Sequence, residues 1–389
     1  MYKYLVFLYM IDRSYIKNGI SHISHMNRDF MTTYSLVDLP LPLELETKRV
    51  LKSVTAANRY LAELKGVSET IPNQSILINT LALQEAKDSS AIENIITTHD
   101  EMYKAELYSD RISSSAAKEV QSYVQALRTG FDQVKKDRLL TCNHIIEIQE
   151  TLEGNNAGFR KIPGTDLKNL ATGEIIYVPP QDHETIIRLM RNLESYINDD
   201  ALSDVDPLIK IAIIHHQFES IHPFYDGNGR TGRMINILYL VLKGYLDIPI
   251  LYLSQYIIET KSDYYRLLQS VRDSNNWEDW ILYILKGIEV TSRQTILIIQ
   301  KIRELMQKYK QDIRSNFRFY SQDLLNNLFR HPYTKIEFLE RDLQVARLTA
   351  TKYLDQLAEA GYLEKQKIWR SNYYINRPLF DLLSKPPKI

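Results

Sequence analysis

Residues 222–233 read His-Pro-Phe-Tyr-Asp-Gly-Asn-Gly-Arg-Thr-Gly-Arg, and this segment constrains the fold more tightly than any other. Upstream of it, after Pro207, the residues Leu208, Ile211, Ala212, His215 and Phe218 recur at steps of three or four, the period of one helix face. Downstream, Met234 to Leu242 is an apolar helical run with Gly244 placed as its C′ residue. The chain must therefore pass from a helix through a tight loop straight into a second helix. Unpaired N–H groups at the second helix start, together with the helix dipole, favour an anion there. Gly227 and Gly229 let the backbone approach that anion closely and take positive φ where needed. Arg230 and Arg233, three apart, can turn both guanidinium forks to one anion. Asp226 offers a hard oxygen for magnesium, and His222 is the one group here able to take a proton near neutral pH. A lone Asp-Gly-Asn-Gly is commonly a turn and a lone histidine commonly structural. Packed into twelve residues, the set points to a polyphosphate site.

The flanking sequence is mostly helical. Apolar residues keep helical spacing from Leu43 to Leu64 and from Ser75 to Tyr108, punctuated by Gly66 and Pro72, and again over Ser114 to Val134 and Cys142 to Leu152. The pattern changes between Gly154 and Pro180, where turn residues and the run Glu174-Ile-Ile-Tyr-Val predict a loop with a small hairpin. Helices return from His183 to Tyr196 and continue to Tyr309. Three short helices, Gln322 to Arg330, Lys335 to Leu343 and Leu348 to Ala360, then precede a ribbon over Lys365 to Asn376, the order of a winged helix-turn-helix.

Length makes two or three domains the expectation for 389 residues. The 48 basic and 48 acidic side chains cancel, so overall charge argues for neither nucleic acid nor membrane. The single cysteine, Cys142, excludes an internal disulfide and a cysteine zinc site and fits a reducing, cytoplasmic setting. It reads as a small apolar residue rather than a nucleophile. The apolar run Tyr4 to Ile11 is about half of what a membrane span requires and lacks a cleavage signature. Residues 1–31 read as a disordered or prematurely assigned start, 32–110 as an N-terminal helical region, 111–310 as the core and 315–389 as the winged helix domain.

At His222 to Arg233 the chain resembles the Fic family, whose motif His-Pro-Phe-x-Asp-Gly-Asn-Gly-Arg-x-x-Arg it matches at every defined position. The resemblance implies a mainly α fold: a helical core with a β-hairpin flap, preceded by helices and followed here by the winged helix. It further implies a protein adenylyltransferase that moves AMP from ATP to a target hydroxyl, with Mg2+ as cofactor. His222 would be the general base and Asp226 the magnesium ligand. Asn228 and the adjoining N–H groups of Gly227 and Gly229 would cradle the α-phosphate, and Arg230 and Arg233 would hold the β and γ phosphates. Phe224 would pack into the core. The intact run through Thr231 and Gly232 favours ATP over other donors. Residues 172–178 resemble the flap that aligns a target, and Leu251 to Tyr256 with Asp263 to Tyr265 resemble the cover over adenosine, placing Tyr265 near the adenine. Some relatives carry an asparagine seven residues beyond that tyrosine pair, where this chain has Arg272, so the base contact would differ.

The resemblance extends to an inhibitory helix. Ser89-Ser-Ala-Ile-Glu93-Asn94 fits the pattern of one class of Fic proteins, in which Glu93 would pair with Arg233 and disfavour productive ATP binding. In some members the same glutamate helps water remove AMP, so the direction of the reaction stays open. In the C-terminal domain, Leu348, Leu354 and Leu357 would face inward, while Arg347, Thr349, Thr351, Lys352, Lys365, Lys367 and Arg370 could reach DNA. Winged helices also dock proteins and dimerise. Expected partners are thus ATP, a target protein or the chain itself, DNA through the last domain and a second copy in a homodimer, with no membrane. The rival reading is a DNA-binding regulator whose core senses nucleotide.

Overall fold

The computed structural model describes residues 36–107, 114–168, 172–368, 371–385 and 387. The expectations for residues 1–31 and for Arg370 lie outside them. The described chain is predominantly helical, with two small antiparallel sheets. Helix α1 (Lys48–Ser68) starts at Thr47, whose side chain accepts the Val50 N–H, and lies along α11 (Trp277–Asn316). The expected helix began five residues earlier, at Leu43. Such a cap contributes about 1 kcal/mol and sets the start. Next come α2 (Ser75–Ile92), α3 (His99–Leu107), α4 (Ser115–Asp137) and α5 (Cys142–Glu153). Ser114 caps α4, Thr141 and His144 form a capping box on α5, and Gly154 closes α5.

The hairpin consists of β1 (Leu167–Lys168) and β2 (Ile175–Tyr177), with Leu167 opposite Tyr177. Asp182 caps α6 (His183–Asn198), and α7 (Pro207–Ile221) opens with proline at its first position and Asp206 as cap. The sequence reading placed one apolar face on α7. Instead every residue from Leu208 to Ile221 is buried, as is every residue of α8 (Asn228–Leu242) but its last, Leu242, which is half-buried. These two are the central helices, surrounded on all sides, so a stripe pattern understated their burial. Helix α8 ends as the sequence suggested. Gly244, at φ 74°, donates its N–H to Val241, and Tyr245 donates to Leu240, a Schellman closure.

Helices α9 (Leu253–Glu259) and α10 (Lys261–Ser274) then lead to α11, which is 40 residues long and runs unbroken past residues 310–315. The last part comprises α12 (Gln322–Arg330), β3 (Tyr333–Lys335), α13 (Ile336–Leu343), α14 (Arg347–Glu359), β4 (Glu364–Ile368), β5 (Ser371–Ile375) and α15 (Arg377–Ser384). Its sheet has the order β3-β5-β4. The sequence reading contained the β4-β5 ribbon but neither β3 nor α15. One inward assignment is corrected: Leu348 is 86% exposed, and the buried positions of α14 are Ala350, Leu354 and Leu357. Those three share a face at i, i+4 and i+7, and Leu348 lies more than half a turn from Ala350.

Candidate active site

His222 sits where α7 ends, in the left-handed conformation at φ 49°, and its N–H donates to Phe218 O at 2.9 Å. A non-glycine residue there costs on the order of 1–3 kcal/mol and persists only if its surroundings enforce it. Arg160 does so. It is 1% exposed, donates Nε to the His222 carbonyl at 2.8 Å and its own N–H to Pro223 O at 2.8 Å, and reaches Pro180 O through Nη2. Burial lowers the Arg160 pKa to about 10. Burial, followed by the charges of Arg160 and Arg272, lowers His222 to about 3. The imidazole is therefore neutral at pH 7 in this state.

The loop beyond His222 closes on itself. Phe224 is buried with its ring 5.3 Å from that of Phe159. The exposed Tyr225 accepts the N–H groups of Lys161 and Ile162 through its hydroxyl, at 2.8 and 3.0 Å. Asn228 donates Nδ2 to Phe224 O at 2.8 Å and accepts the Phe224 N–H at 2.9 Å. Its amide thus shapes the loop, whereas the resemblance implied a cradle for phosphate. Gly227 takes φ 78°, and a Cβ there would lie 2.5 Å from Glu153 Oε1. Gly229 is helical in the first turn of α8 and has no need of positive φ.

Asp226 is half-buried. Its Oδ1 accepts the Gly227 N–H at 2.6 Å, and its pKa rises to about 6, mainly through burial and then through the charge of Glu93, against the lowering effect of the Gly227 bond. The two arginines do not face one common anion in this state. Arg230 is ion-paired with Glu119, with Glu153 at 2.8 Å and with Asp226 at 3.4 Å. Burial raises Glu153 to about 8, with Asp226 and Glu93 adding to the shift. Arg233, 1% exposed, donates Nε to Ser89 Oγ at 2.8 Å, Nη2 to Ser89 O at 3.0 Å and Nη2 to Glu93 Oε1 at 2.8 Å. Burial opposes the charge of Arg233, but the Glu93 carboxylate outweighs it and holds the pKa above its ordinary value. Thr231 and Gly232 continue α8, with Gly232 packed so closely that a Cβ would lie 2.7 Å from Glu219 Oε1.

Asn94 follows α2 at φ 62°, and its Oδ1 lies 3.5 Å from Lys261 Nζ, which donates to Ile92 O at 2.6 Å. Tyr265 is buried on α10 with its ring edge-on to Tyr264 at 5.0 Å. Its neighbour Tyr264 is bonded to His215 Nε2 at 2.8 Å. Arg272 reaches towards the flap: its guanidinium lies 4.0 Å from the Tyr177 ring centroid, and Nε and Nη2 donate to Ser220 Oγ at 3.1 and 3.0 Å.

Sequence reasoning missed Arg160, Glu119, Glu153 and Glu85. Glu85, on α2, is 2% exposed and accepts the Tyr123 hydroxyl at 3.2 Å, the Ser254 N–H at 3.2 Å and the Ser254 hydroxyl. Burial raises its pKa to about 7. For Arg160 the available signal was a charged residue beside Phe159 in an otherwise turn-rich loop. Burial of Cys142 raises its thiol pKa, in keeping with an inert residue.

A helix-loop-helix with two arginines, a neutral histidine and a carboxylate, roofed by a helix that occupies one arginine, defines a mainly helical protein whose loop site is covered by its own α2. Its sequence matches the model of the Fic/DOC family N-terminal region over residues 51–132, that of the Fic/DOC family over 139–240 and that of the protein adenylyltransferase SoFic-like C-terminal domain over 305–379. The chain belongs to the Fic/DOC family. Protein adenylyltransferase fic-1 of Caenorhabditis elegans is 28% identical over 117 residues, 30% of this chain and 22% of that protein. Protein adenylyltransferase Fic of Drosophila virilis is 32% identical over 99 residues, 25% and 19% of the two chains. The matched region thus spans about a fifth of these relatives' length. A Fic family protein of Desulfovibrio desulfuricans has the same fold at TM-score 0.55 and 18% identity, covering 86% of this chain and 98% of that one. Fic-1 of C. elegans gives TM-score 0.50 at 21% identity, covering 64% and 73%. Among the described residues no helix is long and apolar enough to cross a membrane.

Proposed function

We propose that the protein is an adenylyltransferase that transfers AMP from ATP to a hydroxyl of a target protein, or of itself, and that Glu93 restrains it. The observation carrying this reading is Arg233: its Nε and Nη2 are engaged by Ser89 and Glu93 of α2, in the helix that follows the loop holding His222 and Asp226 and that also carries Arg230. The names of the relatives support the adenylyl donor.

In this mechanism the neutral His222 imidazole takes the proton of the target Ser, Thr or Tyr hydroxyl. The oxygen attacks the α-phosphorus in line, the bond to the β-phosphate bridging oxygen breaks, and pyrophosphate leaves. Arg230 and Arg233 hold the β and γ phosphates, which requires both to exchange carboxylates for phosphate. The N–H groups of the first turn of α8 face the α-phosphate. The chemistry is largely positioning and charge neutralisation. Asp226 would hold Mg2+, because a single carboxylate beside phosphates is the usual setting for that ion, and its half-buried carboxyl lies 3.4 Å from Arg230, one of the arginines that would hold the phosphates. When bound, the ion supplies neutralisation of phosphate charge. Tyr177 and Arg272 link the flap to the turn before His222, through the ring contact and through the Tyr177 hydroxyl donated to Ser220 O at 2.9 Å.

The C-terminal domain supports a docking role for protein more than for DNA. Arg347 is paired with Glu337 at 2.9 Å and Glu340 at 3.3 Å, and Lys365 with Asp355 at 2.6 Å, which leaves Lys352 and Lys367 as exposed cations of α14 and β4. The test of the main reading is incubation with α-labelled ATP and magnesium. Label that requires His222 and increases in Glu93→Gly supports it. Nucleotide binding without transfer in Glu93→Gly would overturn it in favour of a sensor.

A further inference from the structure

Glu93 reaches Arg233 from one side of α2, and Gln84 stands nine residues earlier, about half a turn round the helix at 100° per residue. That second side is held by the C-terminal domain. Gln84 Nε2 donates to the Leu383 carbonyl of α15 at 2.9 Å and to the Tyr103 hydroxyl at 3.2 Å, and its Oε1 lies 3.2 Å from His99 Nε2. Helix α12 packs on α2 as well. The neighbouring α3 is engaged by the same domain. Tyr103 is buried with its ring 5.0 Å from His331, 5.8 Å from Phe380 and 6.2 Å from Tyr333. Tyr333 donates its hydroxyl to Asp100 Oδ1 at 2.5 Å.

We propose that the C-terminal domain is a working part of the restraint: docked behind α2, it holds Glu93 on Arg233, and its undocking releases the arginine. The proposal rests on the reading that Glu93 limits nucleotide use. The physical reason is that the latch stands at the very end of α2. The helix start is bonded through Asn73 Oδ1, which accepts the Ser75 N–H at 3.0 Å, and its end is closed by Asn94 and Ile95, whose N–H groups donate to Ala91 O and Ser90 O, but Glu93 is the C-cap residue itself. A helix whose last residue is the latch holds that residue in place only as well as its tertiary contacts hold the helix. On the core side these are Glu85 with Ser254 and Tyr123, and Lys261 at the Ile92 carbonyl. On the outer side they are Gln84 and the aromatic cluster around Tyr103.

The experiment compares full-length wild type, Phe380→Ala, Gln84→Leu, Glu93→Gly and the double variant Phe380→Ala with Glu93→Gly, measuring self-labelling from α-labelled ATP. Phe380→Ala and Gln84→Leu should each label several-fold faster than wild type, and the double variant no faster than Glu93→Gly alone. Hydrogen exchange supplies a second readout: amides of residues 75–92 should exchange faster in Phe380→Ala, with those of α7 and α8 unchanged. Faster labelling in Glu93→Gly but wild-type labelling and wild-type exchange of α2 in both docking variants overturns this inference and leaves the restraint by Glu93 standing. No acceleration in Glu93→Gly overturns both. An additive double variant also overturns the inference, because the domain would then act by another route.

Discussion

The Glu93 carboxylate and the Arg233 guanidinium meet at 2.8 Å with side chains 5% and 1% exposed, so the pair is withdrawn from water as completely as a core leucine. Removing one partner of such a pair leaves the other charge uncompensated, a cost of about 3–5 kcal/mol. Glu93→Gly should therefore lower the melting temperature while raising self-labelling at least tenfold. ATP, supplying the missing anion, should stabilise the variant more than wild type. Thermal unfolding with and without ATP checks this, and equal ATP stabilisation of the two proteins would count against it.

His222→Ala removes the one neutral base of the loop while leaving the arginines in place. Transfer should fall by roughly 10²–10⁴, the range for loss of a general base, with ATP affinity in the Glu93→Gly background little changed. Calorimetric titration beside the labelling assay separates the two effects.

Arg160 donates to the backbone carbonyls of Ile221 and His222 in the turn that carries His222, and to that of Pro180. Arg160→Met keeps the stem and removes the donors, orphaning carbonyls at about 1–3 kcal/mol each. Displacement of His222 by an ångström costs on the order of 100-fold in rate. The expected result is a drop in kcat with a smaller change in KM for ATP, whereas a change confined to KM would assign Arg160 to nucleotide binding.

Glu85 carries a pH signature. Burial lifts its carboxyl from an ordinary 4.5 to about 7, so the folded chain keeps a proton that the unfolded chain releases. Its contribution to stability is fully present below pH 4.5 and is lost as pH rises through about 7, on the order of 3 kcal/mol over that window. Glu85→Gln should flatten this decline in melting temperature between pH 5 and 8. A slope equal to that of wild type would show that the group titrates normally.

Gly227→Ala meets two obstacles, a positive φ and the Glu153 oxygen 2.5 Å from the new Cβ. The left-handed conformation alone costs about 1–2 kcal/mol. The variant should bind ATP several-fold more weakly in the Glu93→Gly background, which equilibrium binding would reveal.

What the sequence made legible was the chemistry carried by close spacing. His222 to Arg233 are twelve consecutive residues spanning one loop and the start of α8, and Ser89 and Glu93 are one turn apart, so both groups could be read without tertiary knowledge. Arg160, Glu119 and Glu153 come from other elements, and only packing brings them to the loop. Leu348 shows the opposite failure: an apolar residue in a helix was assigned inward by type, although its phase relative to Leu354 and Leu357 points it out. The mainly helical fold followed from periodicity. The all-round burial of α7 did not, because Lys210, His215, His216 and Glu219 break the apolar pattern yet are buried too.

Under the proposed function, the engagement of Arg233 has a quantitative consequence for nucleotide binding. When only a fraction of molecules has the arginine open, the apparent dissociation constant rises by the reciprocal of that fraction. A latch that leaves about one molecule in a hundred open thus shifts half-saturation about 100-fold upward without altering a single nucleotide contact. The strength of one buried ion pair would then set the ATP concentration at which the protein begins to act.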